Sequence, residues 1–464
     1  MLPVVALIGR PNVGKSTLFN RLTGSRDALV YDRPGLTRDR IYGRAQLGGR
    51  PCIVVDTGGL ADAEDDFQDL MTAQAQRAMA EASAIVFLVD GQAGMTAADE
   101  TIAQMIRRSG KPCFLAVNKT EHLNNVEAIS DFLTLGFSDV IAIAATAGKG
   151  VDQLSEAVAR SLPPPGEDIV ADAQPDALRF AVVGRPNVGK STLVNRILGE
   201  ERVLVFDKPG TTRDSIAINF TRDERPYVII DTAGVRRRGK IDDVVEKFSV
   251  AKTIQAIEAA HVVVLVLDAR EGVTDQDLNL AGMVLDSGRA VVIALNKWDG
   301  LTPDQRQHAR NDVDRKLDFL DFAKVHYISA LHGTGVGELY SSIDSAYAAA
   351  TRKFTTPELN RVLEAAMVQH QPPLVRGRRI KLRYAHQGGS MPPLIVIHGN
   401  QTALVPAPYA RYLGNVFREA FKLYGTPVRV EFRTSENPYK GRKNVLTKRQ
   451  IQKRKRLKKF VARK

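Results

Sequence analysis

The sequence predicts an α/β fold class, two copies of one domain on mostly parallel sheets followed by a small α+β domain, and three observations carry it. The nine letters GRPNVGKST at 9–17 return unchanged at 184–192. Other motifs return in the same order. PGLTRD (34–39) and DTGG (56–59) reappear 175 positions later as PGTTRD (209–214) and DTAG (231–234). NKTE (118–121) and NKWD (296–299) lie 178 apart, and AATAGKG (144–150) and SALHGTG (329–335) lie 185 apart. Nearly every motif also follows a short apolar run of strand length. A duplicated domain that diverged through loop insertions accounts for these offsets; solenoid repeats recur at roughly 20 to 50 residues instead.

The elements follow in chain order. Copy one has strand-like runs at Val4 to Ile8, Cys52 to Val55, Phe114 to Val117 and Val140 to Ile143. Copy two answers with Phe180 to Val183, Tyr227 to Ile230, Val291 to Leu295 and Val325 to Ile328. Such runs alternating with helical stretches give a parallel sheet covered on both faces, which takes ligands in the loops at the carboxyl ends of its strands. The stretch SLPPPGEDIVADAQPDALR (161–179) is proline-rich and acidic without a period, the composition of a linker that leaves the two domains able to move. Past residue 351 the motifs stop. The pattern there reads helix (Pro357 to His370), strand (Ile380 to Ala385), strand (Leu394 to Gly399), helix (Tyr409 to Tyr424) and strand (Pro427 to Arg433). The expected organisation is a first domain at 1–162, a linker at 163–177, a second domain at 178–351, a third at 352–437 and a basic tail at 438–464.

Composition sets outer limits. A chain of 464 residues suits roughly three domains of about 150 residues each. No apolar run reaches the ~18 residues of a membrane span. Residues 1–8 lack a basic region and a small-residue cleavage site, so neither signal peptide nor membrane partner is expected and the cytoplasm is the expected compartment. The only cysteines, Cys52 and Cys113, sit in apolar runs and read as buried reduced thiols. The net charge of +13 is unevenly placed: residues 440–464 hold thirteen Lys or Arg and no acid, while the rest is close to neutral. Such a tail seeks polyanions.

The repeated motifs specify chemistry. Gly-x-x-x-x-Gly-Lys-Ser between a strand and a helix is a P-loop, whose glycines let backbone N–H groups converge on phosphate oxygens at a helix N-terminus. Gly9, Gly14, Lys15, Ser16 and Thr17 form one cradle, and Gly184, Gly189, Lys190, Ser191 and Thr192 the other. Lys15 and Lys190 are expected on the β- and γ-phosphates, with Ser16 and Ser191 on Mg²⁺. Asp56 and Asp231 end strands and hold the metal through water, while the Gly59 and Gly234 amides face the γ-phosphate. Thr37 and Thr212, in the TRD segments, are expected to close over Mg²⁺ when a γ-phosphate is present. In isolation such a threonine reads as a helix cap; repetition in register favours the switch.

Base choice falls to Asn296, Lys297 and Asp299 with Ser329 and Ala330, and in copy one to Asn118, Lys119 and Glu121 with Ala145. A carboxylate accepts both the N1 and N2 hydrogens of guanine, and adenine offers no such donor pair, so the ligand is GTP or GDP. Copy one departs from copy two: Glu121 replaces the aspartate and Ala144 stands where copy two has Ser329. The first site is therefore expected to select guanine but to hold it more loosely, by ~1 to 2 kcal/mol on the scale of hydrogen bonds to charged groups. Leu60 and Val235 directly follow the two Asp-x-x-Gly motifs, where many switch GTPases carry a water-orienting glutamine. Slow unaided turnover and stimulation by a partner are expected.

Taken together, the two GRPNVGKST cassettes, PGLTRD and PGTTRD, DTGG and DTAGVRRRGKI, and the C-terminal GGSMPPLIVIHGN and YGTPVRVEFR resemble the bacterial ribosome-assembly GTPases of the Der (EngA) family over essentially the whole chain. That resemblance implies two P-loop GTPase domains packed with a KH-like domain, acting in maturation of the large ribosomal subunit through ribosomal RNA. It also implies stimulation by K⁺ held partly by the P-loop asparagine, which maps onto Asn12 and Asn187. The third domain has no Gly-x-x-Gly, the loop with which KH modules clamp a nucleic-acid backbone. Its RNA role then rests on surface charge or on packing against the GTPase domains.

The tail, with Leu446, Ile451 and Leu457 among its cations, reads as RNA-contacting rather than as a solubilising end. After Asp-x-x-Gly the copies differ in sign: LADAEDDFQD in the first, VRRRGKI in the second. The second run, with Arg236, Arg237 and Arg238, is expected to meet RNA or a neighbouring domain when GTP orders it. A monomeric GTPase that docks on pre-ribosomal RNA is the leading expectation, a non-catalytic RNA-binding scaffold with structural nucleotide the alternative. A GTPase of transfer-RNA modification is disfavoured, since no catalytic C-terminal cysteine is present.

Overall fold

A computed structural model describes residues 2–24, 30–31, 41–57, 75–76, 78–121, 129–163, 177–200, 203–205, 217–231, 249–375, 378–434 and 452. Among them the first copy forms a sheet of seven strands: β1 Val4–Ile8, β2 Val30–Tyr31, β3 Ile41–Leu47, β4 Arg50–Asp56, β5 Ala84–Asp90, β6 Cys113–Asn118 and β7 Asp139–Ala142. Their spatial order is β2-β3-β4-β1-β5-β6-β7. Strands β4, β1, β5, β6 and β7 run parallel and β3 turns back antiparallel on β4. The second copy repeats the plan with β8 Leu178–Val183, β9 Val203–Val205, β10 Ala217–Arg222, β11 Arg225–Asp231, β12 Val262–Asp268, β13 Ala290–Asn296 and β14 Lys324–Tyr327.

The centres of both sheets are apolar on both faces, as a doubly covered parallel sheet requires. Every residue of β5 and of β12 is buried. One face of each sheet packs its P-loop helix, Lys15–Thr23 or Lys190–Leu198, and the other packs the helices between later strands. Helices Ala97–Ser109 and Asp275–Ser287 begin with capping boxes at Thr96 and Thr274, each closed by an aspartate at the third position.

The described residues up to Arg352 form one compact unit together with the short segments 389–393 and 421–427. Within that unit the two copies share an apolar cluster: Val4, Tyr42, Ile53 and Val55 of the first join Val250, Ala251, Ile254 and Ile257 of the second. Those second-copy residues lie on helix Val250–Ala259. Gln255 Nε2 donates to the Leu2 carbonyl at 2.6 Å, and the buried Glu258 carboxylate accepts from Arg44 of the first copy at 3.2 Å and from Arg289 of the second at 3.3 Å. The linker at 164–176 lies outside the described residues.

The remaining unit is the small C-terminal domain. Its helices are Thr356–Gln369 and Ala407–Ala420; a two-stranded ribbon, β15 Leu374–Val375 with β16 Arg378–Arg379, precedes a three-stranded sheet of β17 Lys381–Gly389, β18 Leu394–Asn400 and β19 Arg429–Thr434. These match the expected helix-strand-strand-helix-strand pattern within a few residues, the second helix stopping four short of Tyr424. Both cysteines are free thiols, although Cys113 is only partly buried; desolvation pushes each up to about 12. No described helix is long and apolar enough to cross a membrane.

Candidate functional site

Each P-loop lies where β1 or β8 hands over to its helix, and its turn explains its residue choice. Asn12 and Asn187 adopt φ of 63° and 65°, a left-handed conformation that asparagine tolerates better than most residues. Gly14 and Gly189 cap their helices at φ 97° and 98°, and a Cβ on either would stand 2.3 Å from the side-chain nitrogen of Asn118 or Asn296. Only glycine meets both demands. Lys15 Nζ donates to the Gly9 and Arg10 carbonyls at 2.8 Å each, and Lys190 Nζ to the Arg185 carbonyl at 2.8 Å. Burial pushes the Lys15 ammonium down to about 8, against the pull of the Asp56 carboxylate. A cation so poorly hydrated is ready to receive phosphate oxygens in place of water.

Donors for a metal stand beside it. Ser16 presents its hydroxyl to solvent at the helix start, and Asp56 ends β4 fully buried. Ser191 is the half-buried counterpart of Ser16, and Asp231 ends β11. A hard hydroxyl and a carboxylate beside a phosphate cradle fit Mg²⁺, which takes few protein ligands and completes its shell with water and phosphate. Thr37, Thr212, Gly59 and Gly234 lie outside the described residues, as do Leu60 and Val235. Thr17 and Thr192 are exposed on the P-loop helices.

The base-reading segments are tied to the cradle. Asn118 Nδ2 donates to the Val13 carbonyl at 2.8 Å while its Oδ1 accepts from Ala145 N–H at 3.0 Å. Asn296 makes the same pair with Val188 and Ala330, at 2.7 and 2.9 Å. One amide thus joins phosphate loop to base loop in each domain. Lys119 and Lys297 follow at φ 66° and 62°, each with its ammonium 2.6 Å from a carboxylate, Asp90 or Asp268. Against desolvation, the Lys119 hydrogen bond and the N–H groups of Ala93 and Gln92 hold Asp90 below the usual carboxylate range.

The two copies part at the base edge. In the second, the Ser329 hydroxyl bonds the Asp299 carboxylate and, with His332 and Arg270 nearby, keeps it below the ordinary range. His332 Nε2 stands 3.3 Å from Asp299 Oδ2. In the first, Glu121 is exposed and Ala144 carries no hydroxyl to fix it.

Sequence reasoning missed three supports that both copies share. Asp90 and Asp268 brace the lysines. Asp99 and Asp277, the capping-box aspartates, also reach the P-loop arginines, Arg10 at 3.4 Å and Arg185 at 3.3 Å. Arg21 holds the Ala145 and Thr146 carbonyls, each at 2.5 Å, and Arg196 holds those of Ala330 and Leu331, fastening each base loop to the P-loop helix. The signal was available, because each recurs at its motif's offset.

The family described as "50S ribosome-binding GTPase" matches residues 4–119 and 179–297, and the KH-domain-like C-terminal family of EngA bacterial GTPase enzymes matches 353–433. Over its length the chain is 59% identical to the GTPase Der of Thioalkalivibrio sulfidiphilus, covering 98% of each chain. It is 60% identical to the GTPase Der of Halorhodospira halophila, covering 97% of this chain and 95% of that one. A solved structure of Era in complex with MgGDPNP and nucleotides 1506–1542 of 16S ribosomal RNA is similar at 19% identity and a TM-score of 0.30, over 63% of this chain and 92% of that one. Both repeats are GTPase domains, and the chain binds and hydrolyses GTP.

Proposed function

We propose, since this chain belongs to the GTPase Der family, that it is a two-site GTP switch that docks on ribosomal RNA during maturation of the large ribosomal subunit. The observation that carries the proposal is the duplicated site framework, in which both copies repeat the lysine brace and the asparagine clamp, on a chain that also has an EngA-type C-terminal domain. The thirteen basic residues of 440–464 support an RNA partner. The proposal includes action in the cytoplasm as a monomer.

In each site the lysine takes the β- and γ-phosphates and Asn118 or Asn296 keeps the base loop in register with the phosphate loop. Asp299, oriented by Ser329, reads the guanine edge; Glu121 does so in the first site without that support. Mg²⁺, held through Ser16 with Asp56 and Thr37, and through Ser191 with Asp231 and Thr212, supplies charge neutralisation at the phosphates. The Gly59 and Gly234 amides are assigned to the γ-phosphate, which makes that contact specific to GTP. Asn12 and Asn187 are exposed at the phosphate loop, and an amide oxygen is the kind of hard ligand K⁺ takes. With leucine and valine after the Asp-x-x-Gly motifs, attacking water is held by other groups and turnover is slow until a partner completes the site.

Sedimentation with ribosomal subunits tests the proposal. Co-migration with the large subunit in a non-hydrolysable GTP analogue, absent in GDP, is expected. Lys15→Ala with Lys190→Ala should abolish it together with multiple turnover, and turnover should be faster in K⁺ than in Na⁺. Equal pelleting in both nucleotides, or none, overturns the switch.

A further inference from the structure

A row of side chains crosses the C-terminal sheet, two from its first strand and one from each of the others. Tyr384 of β17 stacks on His398 of β18, ring centroids 4.6 Å apart and planes 4° from parallel. His386, also on β17, stacks against the same imidazole at 5.1 Å and 27°. On its other side His398 is the register partner of Arg433 on β19. Alternation along β18 sends Ile395 and Ile397 to the opposite face, where both are fully buried.

The row is set firmly and left in water. Asn360 of helix Thr356–Gln369 accepts from the Ala385 N–H at 2.8 Å and donates to its carbonyl at 3.3 Å, fixing the backbone between Tyr384 and His386. Tyr384 is 44% exposed, and both histidines are partly so. Desolvation first, then the neighbouring His386 and Arg433, push the His398 imidazole below its usual range.

One cation borders the row on its own face. Arg433, 57% exposed, leans on Glu431 at 2.9 Å. The chain leaves β19 at Thr434 and soon enters its wholly basic stretch at 440–464. Flat π faces beside positive charge suit a polyanion whose bases are unstacked, which is single-stranded RNA; in a duplex those base faces are already covered. This also answers how a KH-like domain without Gly-x-x-Gly engages nucleic acid.

The geometry points to a base-stacking site: Tyr384, His398 and His386 form a platform on which an unpaired RNA base stacks while Arg433 meets a flanking phosphate. The inference rests on the RNA-docking reading above and narrows it to unpaired nucleotides and to this sheet face.

The test uses the full chain and a short fluorescent single-stranded RNA of mixed sequence, with a duplex of equal length as control, at one fixed salt concentration. The double substitution Tyr384→Ala with His398→Ala should weaken single-strand binding roughly tenfold, the scale of one lost base–aromatic stack. Duplex binding should change less than about twofold and RNA-free GTP turnover not at all. Tyr384→Phe, which keeps the ring, should bind as wild type, and a 2-aminopurine in the RNA should be quenched by wild type and Tyr384→Phe only. Wild-type binding to single strands with an undiminished double variant overturns the platform and leaves RNA docking intact. Absence of binding by wild type to both single strands and ribosomal subunits overturns both. Loss of subunit binding with normal single-strand binding in the double variant assigns the face to a protein partner and overturns the platform.

Discussion

Ser329→Ala removes one hydroxyl and tests whether the base edge is read as proposed. In the second domain that hydroxyl bonds the Asp299 carboxylate, whose side chain is one-third exposed. A hydrogen bond to a charged group is worth ~1.5 to 3 kcal/mol when buried, and exposure of the acceptor lowers that to about 1 kcal/mol. One kilocalorie is about fivefold in affinity. Titration of GDP into the full chain with its first site silenced by Lys15→Ala should show the dissociation constant rising about fivefold in Ser329→Ala. The reciprocal change belongs to the first domain. Glu121→Asp with Ala144→Ser rebuilds the second domain's pair and should tighten GDP there by a similar factor, read in a Lys190→Ala background. A Ser329→Ala value within twofold of wild type, or a rebuilt first site that binds more weakly, refutes the idea that orientation of this carboxylate separates the two affinities.

Three further outcomes are expected. Lys15 has its pKa drawn down to about 8 in the nucleotide-free protein, and a bound polyphosphate restores the ammonium, so GDP binding should take up a proton most strongly near pH 9. Binding enthalpies measured in buffers of different ionisation heat report this, and below about pH 7 the dependence vanishes because the lysine is already charged. Since the unfolded lysine keeps its proton up to about 10.5, the same group makes nucleotide-free stability rise with pH between about 8 and 10.5. Asp268→Asn, which removes the partner 2.6 Å from the Lys297 ammonium, should weaken GDP at the second site about five- to tenfold without unfolding the domain, and Asp90→Asn should do the same at the first. Arg44→Ala and Glu258→Ala, measured singly and together by urea unfolding, should return a coupling of about 1 kcal/mol across the contact between the two domains; additive losses would show that no such contact operates in solution.

How much of this was legible follows from what each residue answers to. The P-loop glycines are dictated by local backbone and a near neighbour, so Gly14 and Gly189 announce themselves in any sequence that has them. The strands preceding motifs were equally plain. Strands β5 and β12 were not, although every residue in them is buried, because the aspartates that end them, Asp90 and Asp268, belong to no recognised string. Their recurrence at the base motif's offset marks them, but the lysine each one neutralises lies on the neighbouring strand's loop, a relation that only the sheet order supplies. The Asp99 and Asp277 caps show the same limit: the capping box is readable as Thr-x-x-Asp, but its second use, on Arg10 and Arg185, exists only once the sheet brings helix and phosphate loop together.

The contact between the domains was legible in one respect that spacing alone could not interpret. Helix Val250–Ala259 buries Val250, Ala251, Thr253, Ile254, Ala256 and Ile257, a stripe too wide for a helix that covers one sheet and faces water behind it. The surplus is met by Val4, Tyr42, Ile53 and Val55 of the other copy. Val55 immediately precedes Asp56, the carboxylate expected at the first metal, and the helix itself begins nineteen positions after Asp231, its counterpart in the second site. The apolar seam therefore includes the residues that immediately precede both carboxylates, Val55 before Asp56 and Ile230 before Asp231. A shift of that helix must either carry β4 with it or break the seam, because a packed interior deforms in discrete steps. A displacement at one carboxylate-bearing strand would then be felt at the other, a physical use for the duplication that two independent sites would not have.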